Sequence, residues 1–286
     1  MSRIQEVSAR IISLNELLDI VAAIRAIAAS QMQQGQRSLD AIHRYSEEIS
    51  GALAEVAALL DAGESRSGPP QCARLGIVAI CSEHGFCGAF NERILDLAER
   101  ALAESNGDAQ LLVVGSRGAL RAAERGHRPN LTLQMATHSG GVTGVARRVA
   151  SEFYRMFSIG ELGRLEVIHA GFRAGQQTGV ERRLLLPLDA SVVQPRILRI
   201  PPLTNLHAPE LFEELAGEYF FAALENALTE SFTSENAARF RTMEAAHENI
   251  EKKFNELNLL ARRLRQEAVT TEILDLIGGA EAMKSV

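Results

Sequence analysis

Lysine is almost missing from this chain: it occurs only at Lys252, Lys253 and Lys284, and arginine supplies the remaining positive charge. With 36 acidic and 30 basic residues the net charge is −6 and the pI about 5.7. That balance argues against nucleic acid as the main partner, because such partners select strongly basic surfaces. Cysteine is equally sparse. Cys72, Cys81 and Cys87 are too few, and odd in number, for the disulfide framework of a secreted domain. No run reaches the roughly 18 to 20 apolar residues of a membrane span, and Met1 to Arg10 carry no apolar signal core. The expectation is a cytosolic chain whose membrane association, if any, is peripheral.

Proline and glycine are scarce in a telling way. Residues 2 to 61 contain no proline and only Gly35 and Gly51; residues 210 to 277 contain no proline and only Gly217. In the first stretch apolar residues recur at Ile4, Val7, Ile11, Leu14, Leu18 and Val21, in alternating steps of 3 and 4. This is the seam of a coiled coil. It blurs through Ala22 to Ala29 and resumes at Leu39, Ile42, Ile49, Leu53, Val56 and Leu60. The last stretch repeats the pattern at Ile250, Phe254, Leu257, Ala261, Leu264 and Ala268. At about 1.5 Å per residue the two helices would measure roughly 90 and 100 Å. The spacing predicts that their seams bury each other, antiparallel.

Between them the pattern changes. Residues 62 to 70 read as a linker, Ala-Gly-Glu-Ser-Arg-Ser-Gly-Pro-Pro. Leu75–Cys81 is a short apolar run suited to a buried strand, Leu111–Val114 is a second candidate and Leu165–Ala170 also looks like a strand, while Asn91–Glu104, a segment up to Arg125 and Val142–Phe157 look helical. Residues 176 to 187 suit a strand pair, and Pro195, Pro201, Pro202 and Pro209 mark an extended connector. Alternation of this kind predicts an α/β, Rossmann-like insert with a partly parallel sheet. The predicted organisation is a terminal helix over 1–61, the α/β domain over 71–195, and a second terminal helix over 209–286 that pairs with the first. With 46% hydrophobic and 23% charged residues, wholesale disorder is excluded.

Three places have residues suited to chemistry. Cys81-x-x-His84-x-x-Cys87 offers soft ligands or a thiol beside a base, but zinc usually takes four ligands and only a lone Cys72 lies nearby. Buried packing cysteines account for the segment equally well, and no metal is expected. Gly115-x-x-Gly118 falls between a strand and a helix, where backbone amides can hold phosphate. Neither G-x-G-x-x-G nor G-x-x-x-x-G-K-[ST] occurs, and glycine serves such turns for geometry alone. Ser139-Gly140-Gly141-Val142-Thr143-Gly144 suits a loop, so no nucleotide or other cofactor is expected. Arg265, Gln266, Thr270 and Glu272 form a polar cluster on the last helix; by spacing alone they are a solvated face.

Four stretches together carry a family resemblance. Ser82-Glu83-His84-Gly85-Phe86-Cys87-Gly88-Ala89-Phe90-Asn91 resembles the signature Ser-Asp-Arg-Gly-Leu-Cys-Gly-Gly-Leu-Asn of the gamma subunit of F-type ATP synthases. Arg265-Gln266-Glu267-Ala268-Val269-Thr270-Thr271-Glu272-Ile273, followed by Gly278-Gly279-Ala280, resembles that family's ending. Ser234-Glu235-Asn236-Ala237-Ala238-Arg239 with Met243 and Ala246, and Ala26-Ile27-Ala28-Ala29-Ser30-Gln31-Met32, resemble two further stretches, all in the family's order.

The resemblance implies a rotor shaft, not a catalyst. Its helices would stand inside a hexamer of alpha and beta subunits, and its α/β domain would rest with an epsilon subunit on the membrane ring of c subunits. Ion flow, of protons or sodium, would turn it and drive ATP synthesis. Such a complex sits peripherally on the cytoplasmic face of the inner membrane. Carried over by position, Arg239, Gln266, Thr270 and Glu272 would meet the hexamer. The sequence departs from the family's basic first helix at Asp19, Ala22, Gln31, Gln33 and Gln34, which removes charge steering there. Arg262 replaces a family asparagine. This drift suits a divergent branch such as the alternate F-type ATPases. A nucleotide-binding α/β domain on a helical arm, or a scaffold paired through its long helices, is the alternative reading.

Overall fold

The computed structural model describes residues 3–60, 74–105, 107–173, 179–188 and 202–284, the side chains of 275, 276 and 278–284 excepted. The predicted linker at 62–70, Cys72, and the prolines at 195 and 201 lie outside them. The chain divides into two compact units, one formed by residues 1–27 with 240–286 and the other by residues 28–239. Helix α1 (Arg3–Ala57) and helix α5 (Ala208–Lys284) contribute to both.

In the first unit, α1 turns its apolar seam inward: Val7 and Val21 are buried and Ile4, Ile11, Leu14 and Leu18 half-buried, while Ile12, Leu17 and Ile20 face solvent. On α5, Met243 and Ala261 are buried and Ile250, Phe254, Leu257 and Leu264 half-buried. Arg25 donates to Glu244 at 3.0 Å, and Arg10 and Leu14 share a surface recess with Lys253 and Leu257. Contacts thus climb one helix as they descend the other. The predicted seam fails at Ala268, which is exposed. At this offset Arg3 falls opposite roughly residue 267, so α1 has little left to cover it, and Val269, Ile273, Leu274 and Ile277 are exposed as well.

The second unit is built on a five-stranded sheet in the order β3-β2-β1-β4-β5. Strands β1 (Leu75–Ile80), β2 (Ala109–Val114), β3 (Leu131–Leu133) and β4 (Arg164–Ala170) are parallel, and β5 (Val180–Leu186) joins β4 antiparallel. β1 is apolar on both faces because both are covered. Val78 and Ile80 face α4 (Val142–Ser158) and the Phe220–Phe232 stretch of α5, and Ile77 and Ala79 face α2 (Phe90–Glu104) and α3 (Ser116–Glu124).

Two expectations change. Where a strand pair was predicted over 176–187, the described residues hold the single strand β5, its partner being β4; 174–178 lie outside the description. Strand β3 was not anticipated, since three residues carry no readable period. Pro209 was expected to mark an extended connector, but helix α5 already begins at Ala208. Pro209 sits in its first turn, where the missing N–H costs nothing, and the helix passes Gly278 and Gly279 to reach Lys284.

Candidate functional site

In open α/β sheets, ligands settle beyond the carboxyl ends of the strands where the strand order reverses. Here that point lies between β1 and β4, and α5 fills it. Ser231 Oγ donates to the Ile80 carbonyl at 2.9 Å, and Ser234 Oγ to the Gly171 carbonyl at 2.8 Å. Thr229 through Asn236 are all buried, and all but Phe232 are polar. Ser231 and Ser234 stay polar because the strand ends present carbonyls that need donors, while Thr229, Thr233 and Asn236 donate to carbonyls one turn back in α5 itself. The sequence placed this stretch on a long helix without showing that it plugs a sheet.

The neighbouring turn is occupied too. The amide and hydroxyl of Ser116, at the start of α3, donate to the carboxylate of Glu83 at 3.0 and 2.7 Å, and the Met135 amide donates to it at 2.8 Å. Burial alone would raise the Glu83 carboxyl, but these hydrogen bonds and His84 outweigh it and hold it below the ordinary carboxylate range. The anion at this helix N-terminus is therefore the chain's own side chain. The glycines serve packing: a Cβ on Gly118 would lie 2.0 Å from Cys81 Cβ, and Gly115, at φ 112°, would meet the Cys81 carbonyl at 2.5 Å.

Cys81 and Cys87 are free and buried, whereas the His84 side chain is exposed. Burial pushes both thiols up, so they stay protonated, poor ligands and poor nucleophiles. Cys87 Sγ lies 3.5 Å from Ser82 Oγ. Ser82 is locked to Asn91, its amide donating to Oδ1 at 2.9 Å while Nδ2 donates to the Ser82 hydroxyl at 2.8 Å. The segment is thus a fixed turn, and Phe86, at φ 62°, stands 68% exposed at its tip.

Arg239 anchors that turn. Its guanidinium donates to the carbonyls of Gly85 at 3.2 Å and His84 at 3.4 Å, to Asn236 Oδ1 at 3.1 Å, and to Glu235 at 2.5 Å. The Arg239 side chain is only 11% exposed and that of Glu235 5%. Burial raises Glu235 to about 7 despite the opposing pull of Arg239. Gln266, Thr270 and Glu272 belong to the other unit and are exposed; Thr270 Oγ1 donates back to the Gln266 carbonyl at 2.8 Å. The four predicted contact residues therefore divide between an internal anchor and an open helix face.

Two long helices bracketing a sheet whose ligand crevice is sealed by one of them define a structural element more than a nucleotide-binding domain. A family model described as ATP synthase matches residues 3–283, and the chain belongs to that family. It is similar to the ATP synthase gamma chains of Cytophaga hutchinsonii, 28% identical with all of both chains covered, and of Chlorobium luteolum, 25% identical with the same coverage. Its fold is similar to a chain of the Euglena gracilis mitochondrial ATP synthase, solved with OSCP, F1 and c-ring (TM-score 0.62, 17% identity, 98% of this chain and 94% of that one). A chain of the Tetrahymena thermophila central stalk and c-ring gives a TM-score of 0.58 at 19% identity, over 79% of this chain and 99% of that one. Among the described residues no helix is long and apolar enough to cross a membrane.

Proposed function

We propose that this chain is the gamma subunit, the central rotor shaft, of an F-type ATP synthase, coupling ion flow through a membrane ring of c subunits to ATP synthesis or hydrolysis on a hexamer of alpha and beta subunits. The observation that carries this is the family match, which runs from residue 3 to residue 283 and so takes in both long helices and the sheet between them. In this reading 1–61 and 209–286 pair as an antiparallel coiled coil and 71–195 is the inserted domain, which sits with epsilon on the ring. The chain makes no bond to nucleotide itself. Glu83 at the start of α3 and α5 in the sheet crevice both favour a non-catalytic role. The complex lies on the cytoplasmic face of the inner membrane, with this subunit peripheral.

Gln266, Thr270 and Glu272 have side chains free to touch the hexamer. Arg239 acts one step back: it holds the turn whose exposed tip, His84 and Phe86, is offered to a neighbour. Affinity purification of the full chain from its own cells tests the reading. Alpha, beta and epsilon subunits should co-purify, and the isolated chain should not turn over ATP. Turnover by the isolated chain, lost when the Gly115–Gly118 turn is mutated, would replace this reading with that of a nucleotide-binding enzyme.

A further inference from the structure

At the edge of the sheet, on the β5 side, lies a cluster that the shaft role does not use. His169 on β4 is fully buried, and its Nε2 lies 2.7 Å from Glu230 Oε2 on α5. Glu181 on β5 completes a trio whose potential ligand atoms all lie within 4.8 Å of one another. The second Glu230 oxygen, Oε1, has the amide of Asn226 at 3.2 Å and His43 Nε2 at 3.8 Å. Burial alone would raise Glu230, but the hydrogen bond from His169 and the charge of Arg183 outweigh it and hold the carboxyl below its ordinary value.

A closed network of salt bridges would leave no polar atom wanting. This one does. Asn226 is 8% exposed, and its Oδ1 has no partner among the described residues. Half a turn of the Asn226 amide exchanges its two ends, setting the unpartnered oxygen where Nδ2 now stands, 3.2 Å from Glu230 Oε1. Two oxygens in that position repel unless a cation lies between them. Ligands bound at about 2.0–2.2 Å to one tetrahedral ion sit roughly 3.3 Å apart, so small rotations suffice. Arg183 holds the cation's place: it donates to Glu181 at 3.0 and 2.6 Å and reaches Glu230 at 3.5 Å. It stands on an edge strand with 41% of its side chain exposed, so it can swing into solvent.

We propose that His169, Glu181, Glu230 and the Asn226 carbonyl form a site for a divalent transition metal of the zinc type, with Arg183 as the competing internal cation. One imidazole nitrogen with carboxylate and amide oxygens is a donor set that zinc accepts. On binding, the metal takes the Nε2 lone pair of His169, and the ring proton moves to Nδ1. The ion would tie β4, β5 and α5 together.

Isothermal titration of the metal-free full chain with zinc chloride tests this. One zinc per chain is expected, with a rise in melting temperature from binding to the folded state alone. Glu181→Gln, which lies on the partly exposed edge strand, should weaken binding at least about tenfold, and Arg183→Gln should tighten it by a similar factor, since tenfold is a modest share of a ligand's worth. Cys81→Ser with Cys87→Ser should change nothing. No binding up to about 1 mM zinc, roughly the weakest affinity worth calling a site, would overturn the proposal. So would binding undiminished in Glu181→Gln, binding not tightened in Arg183→Gln, or binding lost with the cysteines.

Discussion

Replacing Arg239 with methionine keeps the apolar stem and removes the guanidinium. Two consequences follow from the geometry. The carbonyls of His84 and Gly85 lose their donor, which costs about 1 kcal/mol each. The Glu235 carboxyl, on a side chain 5% exposed, loses its only described cation. A buried carboxylate without a partner takes up a proton instead. At pH 8, one unit above its value of about 7, that uptake costs about 1.4 kcal/mol. The total is about 3 kcal/mol at pH 8. At pH 6 the carboxyl is already protonated, the ionic part disappears, and about 2 kcal/mol remains.

The sign in the parent chain follows from the same group. Its folded value is raised above the ordinary 4.5 to about 7, so the folded state binds the proton more tightly across that window. Its contribution to stability is present at low pH and is lost as pH rises through about 7. Urea unfolding followed by circular dichroism reads this, since the chain has no tryptophan. Glu235→Gln should flatten the dependence, and Arg239→Met in that background should cost the same at both pH values. An Arg239→Met variant as stable as the parent at both would refute the internal-anchor reasoning and return Arg239 to the role of a surface contact.

Two further outcomes are expected. Gln266→Ala with Glu272→Ala removes only exposed groups, so it should leave the fold and assembly intact and lower ATP synthesis and hydrolysis by the reconstituted complex severalfold, on the scale of one or two hydrogen bonds of about 1 kcal/mol; wild-type rates would mark a merely solvated face. Leu14→Asp with Leu18→Asp puts charge into the seam opposite Leu257, and amide exchange should accelerate in residues 240–264 of α5 as well as in α1; protection retained there would show that α5 is stable without its partner.

Much of the fold was legible because its signals are local. A seam stepping by 3 and 4 marks a helix wherever it occurs, and β1 is apolar throughout because helices cover both faces. The chemistry of Ser231, Ser234 and Glu83 was not legible. Each satisfies a backbone group distant in sequence, from 33 to 151 residues away, and no local pattern records which carbonyl or amide a side chain will meet. Arg239 misled for the same reason. Position along a helix suggested a contact for a neighbouring subunit, while its partners at Gly85 and His84 come from a turn about 150 residues earlier. Ala268 continued the heptad on paper but stands exposed.

The central claim is that this chain turns. A probe fixed through Arg100→Cys, on the exposed side of α2, in a surface-immobilised complex with alpha and beta subunits reports that motion directly. Unidirectional, stepwise rotation on addition of ATP, stopping when ATP is removed, is the predicted result. A probe that stays still while the same complexes hydrolyse ATP would contradict the account.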